Sequence, residues 1–203
     1  VYRNNPHISG VIPTDSDIIQ KFDVVYNLDD AYEYNTGSNF IDCYFHRVFG
    51  HTDFDRSTEL FPTDEDCQEV DEDLKDIGDR FVVFHMRNWH WGAKNISMDV
   101  WFDVMGKIFT ERTDFNIVCV GGATDFTVED HPLIFDARGR YNDQQLKYLC
   151  DHARCFVGID SAPFHCAGAS RTHVIGLLTL LAPEFIMPYN NYNDSTAITT
   201  NED

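Results

Sequence analysis

The chain has 203 residues, 43% of them hydrophobic and 14% aromatic, enough for one good core or for one domain plus part of another. Its net charge of −19 disfavours binding to duplex DNA, where phosphates must be neutralised, and no apolar run reaches the roughly 18 residues of a spanning helix. Six cysteines without a C-x-x-C pair, four of them in or beside apolar segments, read as buried thiols of a reducing compartment. The opening "VYRNNPHISG" lacks the apolar core of a signal peptide, so a cytoplasmic location is expected, free or peripheral at a membrane.

In chain order, "FDVVYNL" (22–28) reads as a strand ending in Asp29 and Asp30, and "GSNFIDCYFHRVFG" (37–50) as an aromatic-rich helix. Residues 53–79 are strongly acidic, with a proline and few large apolar side chains. They read as a linker or solvated connection. The expected division is therefore a partial N-terminal α/β domain with its acidic linker (1–75), a second domain (76–190) and a polar tail (191–203).

The second domain alternates. "RFVVFHM" (80–86) is strand-like, and 98–110 is a helix that would turn Val100, Trp101, Val104, Met105, Ile108 and Phe109 to one face, with Ser97 as its cap. "NIVCVGG" (116–122) and "PLIFDA" (132–137) are strands. "DQQLKYLCDHA" (143–153) is a helix with Leu146, Leu149 and Cys150 inward. "CFVGI" (155–159), "PFHCAGAS" (163–170) and "HVIGLL" (173–178) complete a strand–helix–strand unit. Such alternation predicts a Rossmann-like parallel sheet covered by helices on both faces. Right-handed crossovers put every strand's carboxyl end on one edge, where open α/β sheets bind ligands.

Polar residues gather at that edge. Asp160, Ser161, Ala162 and His165 follow the strand 155–159, with Pro163 placed for a first helical turn. A helix start attracts anions, Ser161 can donate to a phosphate oxygen, and His165 adds a donor or a charge. Equally, Asp160 or Ser161 is a cap and His165 a core side chain. The strand 80–86 leads into Arg87 and Lys94, two cations in an acidic chain, and arginine suits phosphate through its forked donors. The strand 116–122 leads through Gly121 and Gly122 to Thr124 and Asp125, and glycine admits close approach of a ligand to the backbone. Together the loops suit a nucleotide diphosphate. The sequences "DFD" (53–55) and "DED" (64–66) imitate a metal-binding D-x-D but lack a strand end to fix them, and His85 and His90 lack further ligands at zinc spacing, so no metal is expected.

"CFVGIDSAPFHCAGAS" resembles the D-[ST]-G-x-x-H-x-A signature of ADP-heptose:lipopolysaccharide heptosyltransferases, enzymes of the GT-B fold. "NPHISGVIP", "KFDVVYNLDD", "FVVFHMRNWHWGAKNI", "IVCVGGATD" and "YNDQQLKYLCDHARCFVGID" are similar to further family stretches in the same order, over about residues 5–187. The resemblance implies a GT-B-like α/β protein whose residues 76–190 bind a nucleotide-sugar. Asp160, Ser161, Ala162 and His165 would line the sugar-diphosphate site, Arg87 and Lys94 would approach the phosphates, Asp125 or Thr124 would lie near the ribose and Tyr141 near the base, with Gly122 among the nucleotide-sugar-binding residues. Ala162 replaces the usual glycine, and the loop after the first strand lacks the usual Ser/Thr-rich sequence. The family's first strand and its Gly-Asp loop would fall before Val1, leaving the donor half and part of the acceptor half.

The implied activity is transfer of a sugar from a nucleotide-diphosphate sugar, ADP-heptose-like, to an acceptor hydroxyl of a glycan or lipid-linked saccharide. Transfer would be inverting, metal-independent and without a cofactor. Asp29 and Asp30 are the candidates for the base. Two alternatives stand beside it. "HMR" (85–87) is similar to the H-x-R that grips guanosine diphosphate in fucosyltransferase-like GT-B enzymes. An incomplete N-terminal half also fits a non-catalytic nucleotide-sugar-binding protein.

Overall fold

The protein is described from a computed structural model, over residues 4–13, 15–33, 37–87, 91–112, 114–125, 130–189 and 195–199. Its centre is a six-stranded sheet in the order β3-β2-β1-β4-β5-β6, parallel throughout. The strands are β1 (Phe81–His85), β2 (Asn116–Cys119), β3 (Ile134–Asp136), β4 (Cys155–Gly158), β5 (His173–Leu178) and β6 (Ser195–Thr199). Five of them lie where alternating apolar runs predict them.

The side-chain period of two explains the layers. Phe81, Val83, Val118, Phe156 and Val174 enter one core, and Val82, Phe84, Ile117, Cys119 and Val157 enter the other. On the first face lie α2 (Asp64–Ile77), α4 (Asp143–His152) and α5 (Ala162–Gly168), through Val70, Leu149 and Phe164. On the second lies α3 (Met98–Glu111), through Trp101 and Met105. The register sets His85 beside Gly158, so β1 and β4 end level and deliver their following loops to one edge.

Three expectations about the sheet and its helices are corrected. The acidic stretch holds α2, packed into the sheet's first core, rather than a solvated connection over its whole length. Val70, Leu74 and Ile77 form a narrow apolar stripe, and most of the other positions of the helix are acids. Thr63 and Asp66 close a reciprocal capping box at its start, the kind of device that contributes about 1 kcal/mol. In α3 the buried stripe is narrower than expected. Ser97 caps the helix and Trp101, Met105, Ile108 and Phe109 face the core, but Val100 and Val104 are exposed. Finally, 195–199 of the expected polar tail pair with β5 as an exposed sixth strand.

The N-terminal part is irregular. Residues 22–28, expected as a strand, have no sheet partner among the described residues and lie exposed, Val24 and Val25 included. A strand needs a ladder as well as β-branched residues. The predicted helix is present as α1 (Phe40–Phe49), capped by Asn39. It is tied to the end of the chain: the Asn39 amide donates to the Met187 carbonyl (2.9 Å), and Arg56 and Tyr189 both donate to Asp42. The short helix α6 (Pro183–Ile186) adds Phe185 to a small cluster with Tyr32 and Phe40. The six cysteines are free thiols, four of them buried at helix or sheet positions, Cys43, Cys119, Cys150 and Cys166.

Candidate functional site

An open cleft of about 350 Å³ lies at the carboxyl edge, where β1, β2 and β4 end. It is within the ordinary size range of small-molecule sites, roughly 300–1,000 Å³. Arg87 follows β1, Gly121, Gly122 and Asp125 follow β2, and Ser161, Ala162 and Pro163 follow β4. Tyr141 and Asp143, at the start of α4, form the remaining polar wall. Six of the residues expected at a site therefore share one cleft: Arg87, Gly122, Asp125, Tyr141, Ser161 and Ala162. Tyr141 is held by its hydroxyl, which donates to buried Asp73 of α2 (2.7 Å), and burial, followed by that hydrogen bond and the Asp73 charge, pushes the phenol up. Arg140 pairs with the same Asp73 carboxylate. The helix mistaken for a linker thus supports one wall of the site.

The β2 loop is tightly made. Gly121 has φ +133°, a conformation that side-chain-bearing residues rarely adopt, and the Gly122 N–H donates to Asp125 Oδ2 (2.5 Å). That bond turns the Asp125 side chain back over the loop. Across it stands His85, the last residue of β1 and 3% exposed. Its Nδ1 lies 2.9 Å from Ser161 Oγ, and its Nε2 3.7 Å from Asp125 Oδ2. Burial pushes the imidazole down to about 4, against the opposing pull of Asp125, so the ring is neutral near pH 7. Sequence reading weighed His85 only as a metal ligand or a nucleotide grip. The signal for its present role was a polar residue closing an otherwise apolar strand.

A second cluster adjoins the cleft through Asp160. Lys94 pairs with the Asp160 carboxylate, and His165 Nε2 lies 3.4 Å from its other oxygen. Asp160 is 6% exposed. Burial alone would raise its carboxyl, but His165 and then Lys94 outweigh it and hold the group below the ordinary value. Lys94 is positioned by a short 3-10 turn, Gly92–Lys94, whose Ala93 carbonyl accepts from Thr179 (2.8 Å), and its ammonium sits 4.5 Å from the Trp91 ring centroid. His165 stacks edge-on against Phe40 of α1 at 5.2 Å. Lys94 and His165 therefore gather on Asp160 and are not among the residues lining the cleft.

The capping question resolves onto Ser161. Its Oγ accepts from the Phe164 N–H (3.4 Å), while Asp160 does not cap. The helix it caps, α5, is only seven residues long, so its dipole is a small attraction for an anion. Thr124 is exposed and outside the cleft lining, and so are Asp29 and Asp30. Asp143 lines the cleft without having been singled out, although its neighbour pair Asn142 and Gln145 form a visible capping box. Among the described residues no group of three or more His, Cys, Asp or Glu could hold a metal. His90 lies outside the described residues.

Comparison with known proteins bears on this arrangement. The description of glycosyltransferase family 9 (heptosyltransferase) matches residues 26–202.

The chain belongs to glycosyltransferase family 9.

A curated relative, lipopolysaccharide heptosyltransferase 3 of Escherichia coli, is 37% identical over 60 residues, covering 30% of this chain and 18% of the relative. Two solved structures share the fold. A family 9 glycosyl transferase from Veillonella parvula has 18% identity and a TM-score of 0.66, covering 80% of this chain and 49% of its own. The ADP-heptose lipopolysaccharide heptosyltransferase II of E. coli has 16% identity and a TM-score of 0.56, covering 70% and 46%. This family 9 chain thus spans about half the length of those structures. Its parallel sheet is the α/β architecture of GT-B glycosyltransferases, as the resemblance implied. No helix among the described residues is long and apolar enough to cross a membrane.

Proposed function

We propose that this chain is the donor-binding part of a glycosyltransferase that takes its sugar from a nucleotide-diphosphate sugar, of the ADP-heptose type, and passes it with inversion and without a metal to a saccharide hydroxyl. The observation that carries this reading is the contact of two sites across one residue step: a cleft bearing Arg87, Ser161 and Asp125, and beside it the Lys94–Asp160–His165 cluster. A nucleotide fits the cleft, with hydroxyls toward Asp125, its base toward Tyr141 and its diphosphate toward Arg87 and Ser161. The sugar then extends toward Asp160 and His165.

In that arrangement the residues mainly stabilise the leaving group. The acceptor oxygen forms its bond to the anomeric carbon as the bond to the diphosphate breaks on the opposite face. Negative charge grows on the departing phosphate, and donors fixed in advance cost no reorganisation at that moment. Arg87 supplies a charged fork and Ser161 a hydroxyl. Lys94, already drawn to Asp160, leaves its remaining hydrogens for the sugar–phosphate junction. Membership of family 9 supports the reading. The natural acceptor on this reading is a glycan or lipid-linked saccharide, reached from the cytoplasmic side of a membrane.

Titration calorimetry with ADP and GDP, each with and without EDTA, tests the proposal. ADP is expected to bind equally well in both conditions and more tightly than GDP. Loss of binding in EDTA overturns metal independence, and preference for GDP transfers the chain to the fucosyltransferase-like reading.

A further inference from the structure

We propose that His85 is a positioning residue whose single ring hydrogen is shared between Asp125 and Ser161, so that occupation of one cleft group decides whether the other can donate to a ligand. The reading of the cleft as a nucleotide site supplies only the identity of that ligand.

A neutral imidazole has one N–H and one lone pair, and a serine hydroxyl has one hydrogen. Around His85 these are too few for every neighbour at once. Nδ1 faces Ser161 Oγ at 2.9 Å, Nε2 faces the Asp125 carboxylate at 3.7 Å, and Ser161 Oγ also lies 3.0 Å from the Ile159 carbonyl. Ser161 Oγ accepts from the Phe164 N–H, and Asp125 Oδ2 from the Gly122 N–H, so both oxygens are held in place. Burial keeps the ring uncharged, which forces a choice.

Two arrangements are open to the ring, the first held by charge–dipole attraction, since 3.7 Å is beyond hydrogen-bond range. In the first, the ring hydrogen is on Nε2 toward Asp125, and the Ser161 hydroxyl donates to Nδ1. Ser161 is then turned inward and offers a ligand no hydrogen. In the second, the ring hydrogen is on Nδ1 and is donated to Ser161 Oγ. The Ser161 hydrogen is then free for the Ile159 carbonyl or for an oxygen of a bound anion. Passage from the first to the second releases a proton from Nε2 to cleft water and takes one up at Nδ1, with no change of net charge. The second arrangement sets the Nε2 lone pair against the Asp125 carboxylate. It is disfavoured until hydroxyl donors of a ligand engage that carboxylate. A ligand carrying both hydroxyls and phosphate therefore prepares its own phosphate contact, a coupling between two halves of one site. The niche is sized for this ring: a Cβ on Gly121 would stand 2.9 Å from His85 Cδ2.

Ring 15N spectra at pH 7, with His85 identified by the signals lost in His85→Gln, read the hydrogen directly. The free protein is expected to show the Nε2–H form, and Asp125→Ala, which removes the acceptor facing Nε2, to shift the population to Nδ1–H. An unchanged ring form in Asp125→Ala overturns the relay. Pyrophosphate and ADP titrations of two variants supply a second readout. The His85→Asn amide reaches the Nδ1 position and is expected to hold affinity within about threefold of wild type, whereas His85→Gln, which reaches the Nε2 position, should bind about tenfold more weakly, as the loss of one charge-assisted contact predicts. Equal affinities for the two variants, with both folded by circular dichroism, also overturn it. If the wild-type protein binds neither probe, the nucleotide reading fails, and the ring response to Asp125→Ala still decides the relay.

Discussion

Asp160→Ala is expected to lower the stability of the protein by about 3–5 kcal/mol, the usual cost of leaving a buried charge without its partner. The stranded group is the Lys94 ammonium, whose side chain is 12% exposed. His165 loses the same carboxylate and keeps only its ring contacts with Phe40 and Phe164. Urea denaturation followed by circular dichroism measures the change. Asp160→Asn retains an acceptor and should cost less, and its nucleotide affinity should fall more than its stability. The wild-type contribution also depends on pH. The folded state holds this carboxyl below its ordinary value, so the unfolded chain takes up the proton first as pH falls. The stabilisation is complete above the unfolded value of about 4 and is lost as pH drops through the lower folded value. A denaturation series from pH 7 down to about 2.5 should show this loss in the wild type and not in Asp160→Ala.

Gly121→Ala is expected to abolish nucleotide binding at the cleft and to cost on the order of 1–3 kcal/mol of stability from backbone strain. At φ +133° an alanine is strained whatever the space around it. Its Cβ would also meet Asp125 Oδ2 at 2.5 Å and the edge of the His85 ring at 2.9 Å. Both groups face Ser161 or the cleft, so the damage passes directly to the site. The neighbouring Gly122→Ala supplies the comparison: the nearest atoms to its Cβ would be those of the Asp125 carboxylate, at 3.0 Å or beyond, and Gly122 carries no positive-φ strain. Gly122→Ala should therefore fold nearly normally and bind with a smaller loss. Calorimetry with ADP on the two variants separates these outcomes, and equal binding by both would show that the β2 loop does not shape the site.

The sheet was legible because buried parallel strands advertise themselves. "RFVVFHM", "NIVCVGG" and "CFVGI" are β-branched or aromatic runs closed by glycine or polar residues. The strand-end rule then located the cleft, and six expected residues do line it. Other features were hidden for physical reasons. The α2 helix carries one apolar stripe in a field of acids, and its cap uses aspartate at the third position where glutamate or glutamine is the familiar sign. The exposed segment 22–28 has a strand's composition without a neighbour to pair with among the described residues, and β6 has a tail's composition with one. Pair choice within the site was also beyond sequence. Nothing in "IDSAPFH" distinguishes the carboxylate that draws Lys94 from the hydroxyl that meets His85, because both partners arrive from other strand ends.

The most direct test of the central claim is a crystal structure of the protein with ADP bound in the presence of EDTA. The diphosphate should lie at the ends of β1 and β4, with an oxygen within hydrogen-bond reach of Ser161 Oγ, about 2.5–3.0 Å, and another within reach of the Arg87 guanidinium. Density for ADP at another surface, with the Arg87–Ser161 cleft vacant at saturating nucleotide, would contradict the assignment.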